Sequence, residues 1–483
     1  MLPNTHLQVG IDISRNKADL ALLSPGGELL ELHRSFTNSV QGYAQVKAML
    51  LEELSRHAYQ GVDIGVEATS YYWLPLYLQL WQDKELASYQ LRLMLLNAGW
   101  VRWFKKSLPA DHKSDYRDPY YIAERMRSMP HKTWWSLDEH WLALRLRTRL
   151  RFHLSQSLIR EKNHYQLFLF LAYSAYTRTN PFSTPFGQLS QSLLHQPELL
   201  EELGQLPTDE VALRLHALSQ GRLPDPQQAA IRLKQALEES FTLPEALEPP
   251  VQEALLSLSS LVQNLQEQIQ SIDAQIRHLT LTSYPEVGWL KSIPGVGPVF
   301  ASAIAAEIAG LQRFTTPLKW DKHSKTYRPR KLREVEDAVA KFAGMWWPQN
   351  DSGQFSAEER SLSKRGNAYL RYYLIQAADH MRQSIPSYER YYARKFAQVT
   401  KHQHKRALVL TARKAVGLFV GLLHRQEPGR LFRLPVGLHP GQRYHPPGPQ
   451  PPHAPSARAE AEGPGNRRSA GRLRPGDTPE DDG

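Results

Sequence analysis

Short apolar runs and segments with helical spacing alternate along the first part of the chain. Apolar runs of strand length are separated by polar turns, and Ser24-Pro25-Gly26-Gly27 supplies one of these turns. Ser39 is a candidate N-cap for the first segment with helical spacing. The predicted order is β-β-β-α-β-α-β-α, with strands at 7–14, 18–24, 28–36, 62–68 and 89–97 and helices at 39–57, at 71–84 and from about residue 115.

Acidic residues lie at the ends of two of these strands. The order matches a ribonuclease-H-like fold, in which the first and fourth strands are neighbours, so we expect Asp12 and Glu67 to meet. A buried carboxylate is costly unless a cation compensates it. Asp115 and Asp118, three residues apart, would close the site from a helix. Four carboxylates suit two Mg²⁺ ions, which prefer oxygen ligands. Taken singly, each acid is better explained as a solvated surface or turn residue, and only the four in this order favour a metal site.

Basic and aromatic residues surround the third and fourth acids. Cations beside carboxylates are expected to hold a phosphate backbone near the metals, and the predicted contacts are Lys105, Lys106, Lys113 and Arg117. Trp100, Trp103 and Phe104 lie between them, and core packing explains these rings equally well.

The middle of the chain predicts long helices. Residues 141–170 form a strongly basic helix in which Arg145 and Arg149 are candidate phosphate contacts, the alternative being a solvated face. Residues 176–250 read as short helices broken by proline. A heptad series from Leu255 to Leu279 then predicts a coiled coil, which either pairs with another chain or folds back on the basic helix.

The last third combines a glycine turn with a serine-containing loop. Residues 292–310 (SIPGVGPVFASAIAAEIAG) resemble a helix-hairpin-helix, whose turn offers backbone N–H groups to a phosphate. The alternative is an ordinary turn between packed helices. Asp351-Ser352-Gly353 lies in a polar loop and is by itself a turn motif. A basic anion-binding face follows, carrying Lys364, Arg365 and Arg371.

Composition narrows the class of partner and the compartment. The formal net charge is +11 and the pI about 9.5, which favours a polyanionic partner over a merely basic soluble protein. The chain has no cysteine, which excludes thiolate metal sites and cysteine nucleophiles and fits a reducing cytosol. We expect no membrane span, because no leader is evident and no apolar run approaches about 18 residues. The expected location is cytoplasmic and nucleoid-associated.

Taken together, these motifs resemble the DEDD-type insertion-sequence transposases, which are bridge-RNA-guided DNA recombinases. The resemblance runs from Val9 to about Leu423. It rests on the motifs GIDIS, GVEAT, KSDYRD, LRLRTRLR, SIPGVGP, AGMWWPQNDSG and SLSKRGNAYLR. It implies a catalytic α/β RNase H-like (RuvC-like) domain at 1–130, a basic-helix and coiled-coil region at 131–285, a mainly α C-terminal transposase domain with a helix-hairpin-helix at 286–426, and a disordered tail at 427–483.

The resemblance also implies roles for individual residues. Asp12, Glu67, Asp115 and Asp118 match the metal-binding tetrad, and Ser352 matches the nucleophilic serine. The implied cofactor is Mg²⁺, two ions, and the implied partners are donor and target DNA, an element-encoded guide RNA and further copies of the chain in a dimer or tetramer. The rival function is a RuvC-like nuclease that uses water and forms no covalent intermediate. Pro119, directly after Asp118, departs from the family pattern and puts the start of that helix in question.

Overall fold

The computed structural model describes residues 5–57, 59–68, 70–107, 115–128, 138–315, 319–321, 323, 326–348, 351–352, 355–356 and 361–425. Several predictions concern residues beyond this description. Lys113 and the predicted tail from 427 onward lie outside the described residues. Asp115 and Ser352 are described by their backbone alone, and the side chain of Trp100 is likewise outside the description.

A five-stranded sheet organises the N-terminal region. Its order is β3-β2-β1-β4-β5, in which β1 pairs antiparallel with β2 and parallel with β4. The predicted strand order and the pairing of the first with the fourth strand are therefore confirmed. The strands are β1 (His6–Ile13), β2 (Lys17–Leu23), β3 (Leu29–Thr37), β4 (Gly61–Glu67) and β5 (Arg92–Leu96).

Helices pack on this sheet where the sequence predicts them. Ser39 caps the first helix, accepting a hydrogen bond from the Gly42 N–H. Gly10 on β1 leaves room for the backbone of the last helix, because a Cβ there would lie 1.9 Å from the Pro119 carbonyl oxygen. Pro119 sits in the first turn of that helix, where proline is tolerated. The helices are α1 (Val40–Arg56), α2 (Leu74–Gln82), α3 (Lys84–Ala87), α4 (Ala98–Ser107) and α5 (Asp118–Arg127), with a 3-10 turn at Asp115–Arg117.

Two long helices span the middle of the chain and pack along each other. They are α6 (Glu139–Ala172) and α12 (Glu248–Ser283). Ile272 and Ile276, late in α12, join a cluster with Trp141 near the start of α6, so the helices run antiparallel. Of the two arrangements open for the heptad series, the structure has the fold-back on the basic helix; pairing with another chain stays a prediction. Short helices lie between them, as predicted: α7 (Tyr176–Thr179), α8 (Gln188–Leu194), α9 (Pro197–Gln205), α10 (Thr208–Leu218) and α11 (Pro226–Glu238).

The last third is mainly helical and shares one core with the start of α6. Its helices are α13 (Pro285–Lys291), α14 (Pro298–Ile308), α15 (Gln312–Thr315), α16 (Leu332–Phe342), α17 (Ala368–Ser384), α18 (Pro386–Phe396) and α19 (Gln403–Arg425). Two small hairpins accompany them, formed by β6 (Lys319–Asp321) with β7 (Thr326–Arg328) and by β8 (Asp351–Ser352) with β9 (Phe355–Ser356).

One helix among the described residues, α19, is long and apolar enough by length and composition to cross a membrane. Its apolar side chains are used inside the fold, since Val416, Phe419 and Val420 are fully buried. A core helix passes the same test of length and composition, so burial accounts for the apolar character of α19.

Candidate active site

Asp12 and Glu67 lie next to each other at one edge of the sheet. The parallel register pairs Ile11 with Val66, which places Asp12 and Glu67 at the next position on adjacent strands. Burial raises the pKa of Asp12, and the negative charge of Asp118 adds to that effect. Burial also raises the pKa of Glu67, followed by the charge of Asp12. The predicted meeting of strand-end carboxylates is therefore present in the fold.

Asp118 approaches these two residues from the first turn of α5. That turn is in close contact with Gly10 of β1, and this contact brings Asp118 beside Asp12, which lies on the same strand as Gly10. We call Asp12, Glu67 and Asp118 the acid cluster. Lys105 on α4 lies with its Nζ 2.5 Å from Asp118 Oδ2, and its charge acts to lower the pKa of both Asp12 and Glu67. The ammonium group of Lys105 thus partly compensates the negative charge of the acid cluster.

The donors of the acid cluster fit a divalent cation in chemistry. They are carboxylate oxygens; burial, together with the charge of a neighbouring acid, raises the pKa of two of them, and an ammonium group already compensates the third. Among the side chains that the structure describes, no group of three or more has metal-binding geometry as it stands. Asp115, the fourth predicted ligand, lies in the 3-10 turn directly before α5. Binding of a metal would require Lys105 to release Asp118.

Asp19 is a further carboxylate at this edge that the sequence analysis did not single out. It is the direct cross-strand partner of Asp12 on β2, and it is 5% exposed. Burial acts to raise its pKa, but hydrogen bonds from Lys17 and Ser35 lower the pKa overall, so Asp19 stays ionised. The signal was available in the sequence, because paired positions across a tight hairpin face the same side of a sheet.

His33 connects Asp19 to the turn that precedes α5. Its Nε2 lies 3.2 Å from Asp19 Oδ1, and its ring meets the edge of the Tyr116 ring with centroids 6.3 Å apart. Tyr116 stands between Asp115 and Asp118 in sequence. The Arg117 guanidinium lies over the Tyr116 ring at 5.7 Å and is exposed. The third strand therefore supports the turn that presents the last two acids of the predicted tetrad.

The loop that carries Ser352 has a firmly closed base. The Ser363 N–H donates to the Trp346 carbonyl (3.0 Å), and the Asn367 N–H donates to the Phe342 carbonyl (2.6 Å). Gly366 permits this closure, because a Cβ there would lie 2.4 Å from the Phe342 carbonyl oxygen. We call residues 342–346 and 363–367 the loop base. Ser352 lies between its two halves, in the hairpin of β8 and β9.

Of the three predicted cations at this loop, Lys364 and Arg365 belong to its base, and Arg371 contacts the base from α17. The Arg365 guanidinium lies over the ring of Trp103 at 5.3 Å, and Trp103 is two residues from Lys105 on α4. Arg371 donates from Nη1 to the carbonyls of Ala343 (3.0 Å) and Lys364 (2.9 Å), which joins α17 to both halves of the base. Lys364 is exposed. Trp103 is 60% exposed, so it belongs to the surface and not to the core.

Arg145 and Arg149, predicted on α6 as phosphate contacts, point into the protein. Arg149 donates through Nε and Nη2 to the two carboxylate oxygens of Glu307 (2.6 and 2.8 Å). Arg145 donates to the Ala306 carbonyl (Nη2, 2.9 Å). Arg151, farther along the helix, is also paired, with Asp273 on α12 (2.6 Å). The sequence shows these charges on α6 but not their distant partners, and a contact with nucleic acid stays a prediction for Arg145 and Arg149.

The glycine turn predicted as a helix-hairpin-helix connects α13 with α14. Gly295 has a φ of +85°, and a Cβ there would lie 2.7 Å from the carbonyl group of His380 on α17. Gly295 is thus needed for a close approach between two helices. Phosphate binding by this turn stays a prediction.

Comparison with known proteins assigns the chain. A family model of the DEDD transposases of the IS110 type, described as "Transposase", matches residues 9–173. A second model, described as "Transposase IS116/IS110/IS902 family", matches residues 329–393. No curated protein matches the chain. The first match contains the acid cluster and the second contains Ser352 with both halves of the loop base, and the chain belongs to the IS110-type DEDD transposases.

Proposed function

We propose that this transposase cleaves and rejoins DNA strands of an insertion sequence at the acid cluster. Asp12, Glu67, Asp115 and Asp118 would hold two Mg²⁺ ions, and Ser352 would be the nucleophile. The observation that carries the proposal is the convergence of Asp12, Glu67 and Asp118 from β1, β4 and α5, reflected in the raised pKa of the first two. When bound, Mg²⁺ supplies charge stabilisation at a scissile phosphate.

Ser352 and Lys105 are the residues of this chain that would act directly on the DNA strand. The Ser352 oxygen forms a bond to phosphorus while a bridging P–O bond of the strand breaks, and the serine proton ends on the released DNA hydroxyl. The phosphoserine link conserves the phosphodiester bond energy, so rejoining to another strand needs no further reactant. Lys105, which pairs with Asp118 in this structure, would contact the phosphate once metal ions were bound by the acids.

The loop base supports a role for Ser352 at this site. Arg365 of the base rests on Trp103 of α4, and α4 also carries Lys105, which contacts the acid cluster. The same segment of the nuclease-like region is therefore in contact with both the acids and the base of the serine loop. This arrangement favours serine chemistry over a nuclease that uses only water.

Nucleic-acid contacts and partners complete the proposal. We place DNA along Lys106, Arg117, Lys364 and Arg365, which are exposed. Lys113, Arg145, Arg149 and Arg371 remain proposed contacts from the sequence. An element-encoded guide RNA, assembly of several copies of the chain and a cytoplasmic, nucleoid-associated location follow from the family resemblance alone.

A pair of variants tests the mechanism. Asp12→Ala and Ser352→Ala are incubated with labelled donor and target DNA, the RNA that co-purifies with the protein and Mg²⁺, and the products are separated on a denaturing gel. Wild type should give a protein–DNA adduct and joined strands, while each variant should lose both by at least about 100-fold, as expected for removal of a group acting in the transition state. Ser356→Ala, in the partner strand of the same hairpin, is the matched control and should retain activity.

Three results would distinguish the ways in which the proposal could fail. If Ser352→Ala still joins strands while Asp12→Ala does not, the serine assignment is wrong. If Ser352→Ala still cleaves DNA, and wild type forms no protein–DNA adduct, the acid cluster is the site of a nuclease that uses water. Retained activity in Asp12→Ala would remove the acid cluster from the mechanism altogether.

A further inference from the structure

The end of α17, helix α18 and the first half of α19 form a strongly basic surface. Between Arg382 and Lys414 the chain carries nine Lys and Arg residues and a single acid, Glu389. The family model matches the chain only up to residue 393, so most of the cations lie beyond the matched region.

Three of these cations surround one aromatic ring. Lys414 Nζ lies 4.6 Å from the centroid of the Tyr391 ring, and Arg394 and Lys395 lie 5.4 and 5.7 Å from the same centroid. We call these four residues the Tyr391 patch. Each cation is attracted to the ring, but the cations repel one another. Burial and then the charge of Arg394 lower the pKa of Lys414, which is a sign of this crowding.

Carboxylates neutralise few charges on this surface. Arg382 pairs with Asp379, and Arg413 pairs with Asp337. Within the described part of the chain, no ion pair is formed by Arg390, Arg394, Lys395, Lys401, Lys405, Arg406 or Lys414. On α6, by contrast, Arg149 and Arg151 are each paired with a buried or half-buried acid. The basic helix that the sequence emphasises is neutralised by the fold, whereas this surface is not.

We propose that the Tyr391 patch, with the neighbouring cations of α18 and α19, binds the sugar–phosphate backbone of duplex DNA outside the position that is cleaved. Unneutralised cations at close range are stabilised by a polyanion, since phosphate contacts release bound counterions. The rings of Tyr391 and Tyr392 are half-buried beneath their cations, with Arg382 4.3 Å from the Tyr392 centroid. Half-buried rings with cations close to them offer less free face for base stacking, which favours a duplex backbone over a single strand.

The choice of DNA rests on the family of the chain, whose substrate is DNA. The Tyr391 patch shares no residue with the acid cluster or with the loop base, and binding of DNA to it does not depend on strand cleavage. The proposal therefore stands or falls independently of the serine mechanism.

Binding of the full chain to a duplex of arbitrary sequence tests the proposal. The variant Arg394→Gln/Lys395→Gln/Lys414→Gln is compared with Arg222→Gln/Arg232→Gln/Arg277→Gln, which removes three exposed charges from other parts of the surface. Fluorescence anisotropy is measured across a salt series. We expect the patch variant to bind at least about 10-fold more weakly, and its slope of log affinity against log salt to fall by about 2 to 3, because each lost phosphate contact contributes about 0.9.

The matched control separates local contacts from total charge. Equal losses of affinity and slope in the two triple variants would overturn the proposal. A loss confined to duplex RNA of the same length would replace DNA by RNA as the partner and overturn it as stated. Independently of any variant, duplex DNA should protect Lys395 and Lys414 of wild type from acylation, read by mass spectrometry, more than it protects Lys162 on α6. Unchanged reactivity of both lysines would contradict the proposal without reference to protein folding.

Discussion

At the scale of single residues, the ionised carboxylates of Asp12 and Glu67 lower the free energy of unfolding of the metal-free protein. Burial and the charge of Asp118 raise the pKa of Asp12, and burial and the charge of Asp12 raise that of Glu67. A carboxyl group whose pKa is higher in the folded than in the unfolded state favours the folded state most when it is protonated. The free energy of unfolding should therefore decrease as the pH rises through the raised pKa of these two groups.

Replacing Asp12 by asparagine should stabilise the metal-free protein while abolishing strand transfer. Asn keeps the size of the side chain and removes the charge that Glu67, Asp118 and Asp19 repel. We expect the melting temperature at pH 8 in EDTA to rise by a few degrees, corresponding to roughly 1 kcal/mol. The gain should shrink as the pH falls towards 4, where the wild-type carboxyl group becomes protonated. Scanning calorimetry across pH measures both effects.

Magnesium ions provide the complementary measurement. Mg²⁺ should raise the melting temperature of wild type, since a ligand that binds only the folded state stabilises it, and this rise should be lost in Asp12→Asn. Asp209→Asn, an exposed acid on α10, is the matched control and should leave the response to Mg²⁺ intact. An Asp12→Asn protein that is less stable than wild type in EDTA would contradict the electrostatic account of the site.

At the scale of elements, the contact between the glycine turn and α17 decides whether that turn is a packing device. Gly295→Ala places a Cβ 2.7 Å from the His380 carbonyl at a φ of +85°, and both effects destabilise the fold. We expect a loss of about 2 to 4 kcal/mol in the free energy of unfolding, by combined backbone strain and overpacking. Urea denaturation followed by circular dichroism measures the change.

Gly297 in the same turn is the matched control. No atom lies within 4 Å of a Cβ built there, and its φ is −74°. Gly297→Ala should therefore leave stability nearly unchanged, and reduced DNA affinity in that variant alone would indicate a backbone contact with phosphate. Equal stability of the two variants would show that α17 does not require the glycine.

The sequence predicts the elements of the sheet well because their signals are local. Strand-length apolar runs and the Ser39 cap each act within a few positions, and together they determine the order that brings Asp12 to Glu67. Asp19 was missed because its importance depends on pairing across the hairpin with Asp12. Arg149 was read as a surface cation because its partner, Glu307, lies 158 residues away in sequence. Periodicity carries no information about such a partner.

At the scale of the whole molecule, one buried carboxylate joins regions that are distant in sequence. Glu307 on α14 is 1% exposed and accepts hydrogen bonds from Arg149 on α6 and from Asn367 Nδ2 (2.6 Å), at the start of α17. Arg149 also donates to the hydroxyl of Tyr71 (3.1 Å), which belongs to the N-terminal region that contains the five-stranded sheet. Although burial acts to raise it, the pKa of Glu307 is lowered by Arg149 and Arg145. Because Asn367 belongs to the loop base, this network connects the Ser352 loop with the N-terminal region that contains the five-stranded sheet.

The charge of Glu307 should therefore affect both stability and catalysis. Glu307→Gln leaves Arg145 and Arg149 without a counter-charge, and breaking a buried pair in this way costs about 3 to 5 kcal/mol. Because the folded pKa of Glu307 is lowered, its contribution is present above the unfolded pKa and is lost as the pH falls through the folded pKa. The difference in free energy of unfolding between wild type and variant should then narrow in acid, as measured by urea denaturation at pH 7 and pH 3.

The same substitution should separate strand joining from DNA binding. A loosened loop base misplaces Ser352, so adduct formation should decline at saturating DNA, while affinity for duplex DNA, which depends on exposed cations, changes little. Glu202→Gln, whose partner Arg214 is exposed, serves as the control and should alter neither quantity. If Glu307→Gln lowered stability but left adduct formation at the wild-type rate, the network would hold the molecule together without positioning the serine loop, and the link from Glu307 through Asn367 to catalysis would be wrong.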